Sequence, residues 1–365
     1  MKNIIITDAK YRTSLAIIHS LAGEKYNIIV CQTDDYKKTP LSFKSKYIKR
    51  AVFLREDNYK NDLLELIKES DFPVVLPVGA KTVELLSREQ EEFSKYCSFI
   101  VSSPDVLEKS NDKKAVMRVA RDLDIPTPKD YVAQPDSYPV IVKPFCGEKF
   151  GLHAEERYIK ANNARQYHKA ITEMSRYDSS PIVQEYVEGA SVGVCVIMDR
   201  NSEAVGYICH KRIREYPIAG GPSTCCKTIY EPELVEKSIL LLKEINFRGI
   251  AMVEYKGGKL LEINPRVWGS FPLTEKSKSN FTKNWVNCIS GMECEDNFYK
   301  SNVKMHFVVN DSLSVFKHLL CGHFSQFFRG ISDFFNPFVK EALFSFDDPV
   351  PFFVYLRNLF FQRFL

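Results

Sequence analysis

No stretch of this chain is apolar for long enough to cross a bilayer, so no spanning segment is expected. Cysteine pairing is missing as well. The ten cysteines form no C-x-x-C pair, and Cys225 and Cys226 are adjacent, a pattern that suits reduced thiols better than a zinc site or a disulfide framework. The net charge is only +4 and the basic residues are scattered, which leaves no stripe for nucleic acid. The first predicted strand is not followed by G-x-G-x-x-G, so a dinucleotide site has no support there. The apolar run within MKNIIITDAKYRT is too short for a signal peptide and reads as a strand. The cytoplasm is therefore the expected location.

What is present is enough apolar material, 45% of 365 residues, for two or three packed domains. Over residues 1–100 strands alternate with helices: strands at 3–7, 27–31, 72–77 and 98–101, helices at 14–22 and 80–93. That alternation predicts an open parallel sheet. A helix over 110–124 stops at Pro126 and Pro128, which mark a domain joint. The strand at 139–144 ends in Lys143, and an ammonium emerging from an apolar strand is a natural partner for phosphate. The segment 145–151, with Gly147 and Gly151, is a candidate turn whose N–H groups face phosphate oxygens. A helix at 162–175 and strands at 181–187, 192–199 and 204–212 follow. The run 210–227 carries Lys211, Arg212 and Arg214 before Gly220-Gly221 and reads as an anion-binding flap. Helices are expected at 232–245 and 271–289.

Between those last two helices lies the stretch around which the chain is organised, GIAMVEYKGGKLLEINPRVWGS, residues 249–270. It reads as a hairpin carrying Glu254, Glu262, Asn264 and Arg266, and three oxygen-bearing side chains beside a guanidinium suit a divalent metal holding phosphates. A loop of Gly257-Gly258 alone would put Glu254 and Glu262 on opposite faces. A three-residue loop, Lys256-Gly257-Gly258, pairs 255 with 259 and puts Glu254, Glu262 and Asn264 on one face. Glu254 and Glu262 are then diagonal neighbours, roughly 7–8 Å apart at the backbone. The three-residue loop is the expected register.

Residues 301–365 hold 15 of the 26 phenylalanines. Such a load needs burial, and three covers are open: the main body, a homodimer partner, or a peripheral membrane contact by 351–365.

The order of these features resembles the ATP-grasp superfamily, in particular the branch of carbamoyl-phosphate synthetase, biotin carboxylase and small carboxylate–amine ligases. The resemblance runs over residues 1–290. It implies an α/β and α+β chain: an amino-terminal open parallel-sheet domain (1–108), two α+β subdomains clasping ATP (109–187 and 188–300) and an aromatic-rich helical extension (301–365). By the same resemblance, Lys113 and Lys143 contact nucleotide phosphates. The hinge strand Gln184-Glu185-Tyr186-Val187 presents backbone groups near Glu185 and Val187 to the adenine. Glu254, Glu262 and Asn264 hold Mg²⁺, with Mn²⁺ able to substitute. Arg266 steadies the transferred phosphoryl group, and Lys211 and Arg214 clamp a carboxylate or phosphate from the flap. The family often has a ribose-binding glutamate where this chain has Ser191, so either Glu188 or Ser191 takes that place. The implied reaction joins a carboxylate to an amine through an acyl phosphate, releasing ADP and phosphate. The alternatives are a kinase acting on an alcohol, or a nucleotide-binding module docked through its aromatic tail.

Overall fold

The computed structural model describes residues 2–144, 150–152, 156, 158–218 and 220–362, except the side chains of 360–362. The phosphate-turn candidate at 145–151 therefore falls, at 145–149, outside the described residues.

The first layer is a four-stranded parallel sheet in the order β3-β2-β1-β4, from β1 (Lys2–Ile6), β2 (Tyr26–Thr33), β3 (Ile48–Leu54) and β4 (Val74–Leu76). Helices α1 (Arg12–Ser20), α2 (Tyr59–Glu69), α3 (Ala80–Arg88) and α4 (Gln90–Phe93) connect or follow these strands. Ile4, Ile5 and Ile6 are fully buried, as expected of a strand covered on both faces. β3 escaped the sequence pattern because it is an edge strand whose Lys49, Arg50 and Ala51 are exposed, so it lacks an apolar run. Segment 98–101, expected as a strand, makes only an isolated bridge from Ser98 to Val74.

The helix expected over 110–124 is two helices, α5 (Pro104–Asn111) and α6 (Lys113–Asp122). Asp112 breaks them and caps the second, accepting from the N–H groups of Lys114 (2.8 Å) and Ala115 (3.1 Å). A three-stranded antiparallel sheet follows, with β5 (Val140–Lys143) between β6 (Ile159–Ala161) and β7 (Ile182–Glu185), backed by α7 (Ala164–Met174).

The third sheet has seven strands in the order β12-β11-β8-β9-β10-β13-β14. They are β8 (Ser191–Met198), β9 (Ala204–Glu215), β10 (Ser223–Thr228), β11 (Gly249–Lys256), β12 (Lys259–Asn264), β13 (Lys304–His306) and β14 (Val339–Glu341). Val194, Val196 and Met198 pack with Leu241, Leu242 and Phe247, around α8 (Pro232–Glu244) and the turn after it. Cys195 and Ile197 pack on the other face with Trp268, Phe271 and Trp285. Both faces of β8 are buried, so VGVCVIM reads as an unbroken apolar run. The helix expected over 271–289 is split into α9 (Pro272–Lys276) and α10 (Phe281–Ile289). The last segment adds α11 (Val308–Leu320), α12 (Phe324–Phe335) and α13 (Val350–Gln362), while its two strands extend the seven-stranded sheet. The expected flap at 210–227 is mostly sheet: β9 runs through Glu215 and β10 starts at Ser223.

The β11–β12 turn departs from the expected register. Lys256 pairs with Lys259, so only Gly257 and Gly258 form the turn, with φ of 53° and 80°. Two positive φ values are what a two-residue type I′ turn requires. Parity is restored by a bulge instead: Tyr255 pairs with Leu260 but Glu254 pairs with Glu262, making Leu261 an extra residue. The two carboxylates are directly opposite each other on one face, not diagonal.

Gly257 also sits where a Cβ would meet the Glu188 carbonyl oxygen at 2.2 Å, whereas a Cβ on Gly258 would meet open space. Gly257→Ala is therefore expected to cost about 3 kcal/mol in urea unfolding, and Gly258→Ala about 1 kcal/mol, from backbone strain alone. Equal costs would contradict the packing of the hinge on this turn.

Candidate active site

The three-stranded and seven-stranded sheets, with α3, α5 and α6, enclose one cleft of about 550 Å³. Val140 and Val142 of β5 are buried, so alternation turns Ile141 and Lys143 into the cleft. Lys113, the first residue of α6, reaches the same place and puts its Nζ 2.7 Å from Glu262 Oε2. Burial and the Lys113 ammonium push Lys143 down to about 8. Two ammonium groups thus lean on one carboxylate, an arrangement short of negative charge.

Glu254 and Glu262 titrate in opposite directions. Burial raises both, but Lys113 overrides it at Glu262, which is held below the usual carboxylate range. At Glu254 burial and the facing Glu262 outweigh Arg212, and the carboxyl is raised. Two half-buried carboxylates that resist joint ionisation, with the Asn264 amide 3.2 Å from Glu262, form an oxygen-rich set suited to a hard divalent cation. Among the described residues no cluster of three or more His, Cys, Asp or Glu side chains is poised for a metal, so the set rests on two carboxylates and one amide. Arg266, on the turn after β12, lines the cleft beside them.

The other end of the cleft is the link from β7 to β8. Gln184, Glu185, Tyr186, Val187 and Ser191 all line it. Glu185 N–H donates to Lys129 O (2.9 Å) and Tyr186 N–H to Pro139 O (3.0 Å). Val187 N–H has no acceptor among the described residues, an edge a flat heterocycle can use. The Glu185 carboxylate is spent on Lys259 at 2.6 Å. Glu188 is exposed and lies outside the cleft lining, whereas Ser191 is inside it.

Beyond Glu254 and Arg212 a second cavity of about 130 Å³ opens, lined in part by Arg12, Gly193, His210, Ser223 and Ser270. Arg212 donates to Glu254 (2.8 Å) and Glu215 (3.0 Å) and forms the wall shared with the cleft. Gly193 keeps the floor open: a Cβ there would lie 2.4 Å from the His210 ring. Burial and Arg212 push His210 down to about 4, so it is neutral near pH 7, hydrogen-bonded to Ser270 Oγ at 2.9 Å. Arg12 enters from the start of α1, its guanidinium stacked 4.0 Å from the Phe307 ring centroid.

The flap residues separate. Arg214 does not reach either cavity; its guanidinium is buried between Asp311 and Asp333, at 2.6 Å from each. Lys211 is on the face of β9 opposite His210 and Arg212 and also lines neither cavity. The flap cation that does enter is Arg212; once the basic run is read as strand, alternation separates it from Lys211 but not from Arg214. Arg12 carried no comparable signal, because a lone arginine at a helix start has no pattern around it.

A family model described as an ATP-grasp domain matches residues 110–270. The carbamoyl phosphate synthase large chain of Ralstonia nicotianae is 21% identical over 262 residues, covering 64% of this chain and 24% of that one. Its counterpart from Gemmatimonas aurantiaca is 24% identical over 238 residues, 59% of this chain and 21% of that one. This chain therefore spans about a quarter of the length of these relatives or less. Among solved structures, biotin carboxylase from Campylobacter jejuni, in its beta-gamma-ATP complex, superposes with a TM-score of 0.63 at 16% identity, over 83% of this chain and 74% of that one. Phosphoribosylglycinamide synthetase from Anaerococcus prevotii gives 0.57 at 13% identity, over 83% and 79%. The chain has the ATP-grasp fold and carries an ATP-grasp domain over residues 110–270.

Proposed function

We propose that this protein is an ATP- and Mg²⁺-dependent ligase that activates a small carboxylate as its acyl phosphate and passes the acyl group to an amine, releasing ADP and phosphate. One observation carries the reading. A cleft holding Lys113, Lys143, Glu254, Glu262, Asn264 and Arg266 opens, across Arg212, onto a small cavity edged by Arg12.

In this reading the link 184–187 receives the adenine and Ser191 is nearer the ribose than Glu188. Lys113 and Lys143 neutralise the phosphates, and Glu254, Glu262 and Asn264 are the residues that would hold Mg²⁺. When bound, that cation supplies charge neutralisation at the phosphates of the nucleotide. Arg266 and Arg212 face the region where charge builds up as a carboxylate oxygen attacks the γ-phosphorus, a transfer that depends on positioning and electrostatics. Arg12 orients the carboxylate substrate. The neutral His210–Ser270 pair gives the cavity donors and acceptors without adding charge. ADP release against a panel of carboxylates, with and without amines, tests the class. Amine-dependent release supports the ligase, release with an alcohol alone indicates a kinase, and no release with any acceptor indicates a binding module.

Lys143 gives this reading a pH signature. Its free pKa of about 8 lies below the ordinary lysine value, and a phosphate beside it favours the charged form. Nucleotide binding at pH 8 is therefore expected to take up a proton, and affinity to weaken up to ~10-fold per pH unit above that. Calorimetry in buffers of different ionisation heat measures the uptake. Proton release on binding would contradict the pairing of Lys143 with phosphate.

A further inference from the structure

The aromatic tail is not uniformly packed. In α13, the segment expected at a membrane, Val354 is buried with Leu15 and Leu41, and Tyr355 donates to Asn310 at 3.0 Å. Phe353 of α13 is exposed, as are Phe338 and Phe346 ahead of it, but the largest group of unburied rings lies on the hairpin of α11 and α12. Its two helices pack on each other where Gly330 abuts Val315 with no room for a Cβ (2.3 Å), and its inner side is fixed to the body by Asp311 and Asp333, which take Arg214. Its outer side carries Phe316 and Leu320 on α11, at i and i+4, and Phe324, Phe328, Ile331 and Phe335 on α12, at i, i+4, i+7 and i+11. These are exposed, Phe328 at 66% and Phe335 at 83%. A contiguous aromatic stripe left in water marks an interaction surface.

The surrounding charge selects the occupant. From Ser312 to Lys340 the one acidic residue is Asp333, which is buried and neutralised by Arg214 and Lys304. Lys317, Arg329 and Lys340 are exposed along the same stretch. A two-fold contact of this face with itself would bring its cations together, with no carboxylate to answer them. An anionic lipid surface answers both features, since aromatic rings settle at headgroup level and lysine and arginine reach the anionic groups. We propose that the outer face of the α11–α12 hairpin docks this protein peripherally onto an anionic membrane surface. This is independent of the proposed reaction.

The test uses the full chain and two vesicle preparations, phosphatidylcholine alone and phosphatidylcholine with phosphatidylserine. Sedimentation is expected to show at least ~10-fold tighter binding to the anionic vesicles, weakening with salt. Replacing Phe324, Phe328 and Phe335 by Ser should weaken binding by on the order of 100-fold or more, while ADP release is unchanged. The pair Lys317→Glu and Arg329→Glu should remove the preference for anionic vesicles while keeping the rings, which provides a second arm should the triple variant misfold. Failure of the wild-type chain to bind anionic vesicles would overturn the proposal. A dimer that the Phe variants convert to monomer, without vesicle binding, would assign the face to a second copy instead.

Discussion

Glu262→Ala should lower ATP turnover by on the order of 10³-fold or more, equivalent to about 4 kcal/mol of transition-state stabilisation, while leaving the protein folded. The fold should survive because the side chain is about a third exposed and its pair with Lys113 is a surface-type ion pair, worth roughly 1 kcal/mol or less. The chemistry should not survive, because Glu262 is the carboxylate directly opposite Glu254 and the residue on which Lys113 leans. A second readout separates this from a general loss of binding. Removing the carboxylate leaves Lys113 and Lys143 more exposed to an incoming anion, so Mg²⁺-free ADP should bind at least as tightly as in wild type. Ordinary turnover in Glu262→Ala, with an unchanged melting profile, would dismiss the metal and phosphate assignment.

The second large effect is a contrast between two arginines two positions apart on β9. Arg214→Met removes the guanidinium between Asp311 and Asp333 and leaves carboxylates buried without it. The expected cost is about 3–5 kcal/mol, a large part of the stability of an ordinary domain. The pH dependence follows from Asp311. Burial alone would raise it, but the hydrogen bonds from Arg214, His306 and Thr224 hold it down to about 2. A carboxyl depressed in the folded state stabilises above its unfolded value, about 3.9, and that contribution is lost as pH falls toward 2. In Arg214→Met the balance reverses: burial then favours the protonated acid, so the deficit should be largest at neutral pH and shrink in mild acid. Turnover per folded molecule should stay near wild type.

Arg212→Met should do the opposite. Arg212 is only partly buried, and its partners Glu254 and Glu215 line the cleft. A loss of roughly 10²–10³-fold in turnover is expected with a modest change in melting temperature. Thermal melts and single-turnover assays on both variants decide it. The reverse pattern, activity lost at Arg214 and stability lost at Arg212, would contradict the division between a structural and a site-facing arginine.

That contrast also marks how far the residues could be read without coordinates. Strand Val140–Lys143 announces Lys143 because an ammonium does not end an apolar strand without a partner. The E-x-N-P-R segment announces its own polar face. The hinge run Gln184–Val187 reads from its own residues only as a strand, and its role is implied by the resemblance to ATP-grasp enzymes. What could not be read depends on pairing across the sheet. The bulge at Leu261 is set by the ladder between β11 and β12, and nothing in the run Lys-Leu-Leu-Glu marks which residue is extra. Glu254 and Glu262 share a face through that bulge and not through a three-residue turn, and Gly257-Gly258 is itself the strongest two-residue signal. Likewise, the face that Arg214 presents depends on register shifts between β9 and β10 and on two aspartates about a hundred residues further along. Arg12 is in the same class, since it belongs to the site only because α1 packs beside α9 and Phe307.

The most direct test of the acyl-phosphate claim is oxygen transfer. A carboxylate substrate identified in the ADP-release panel is labelled with ¹⁸O in both carboxyl oxygens and turned over with ATP and its amine. If the carboxylate attacks the γ-phosphorus, one labelled oxygen ends in the inorganic phosphate at every turnover and the other stays in the amide. Phosphate free of label, formed at the same rate as the amide, would contradict the account.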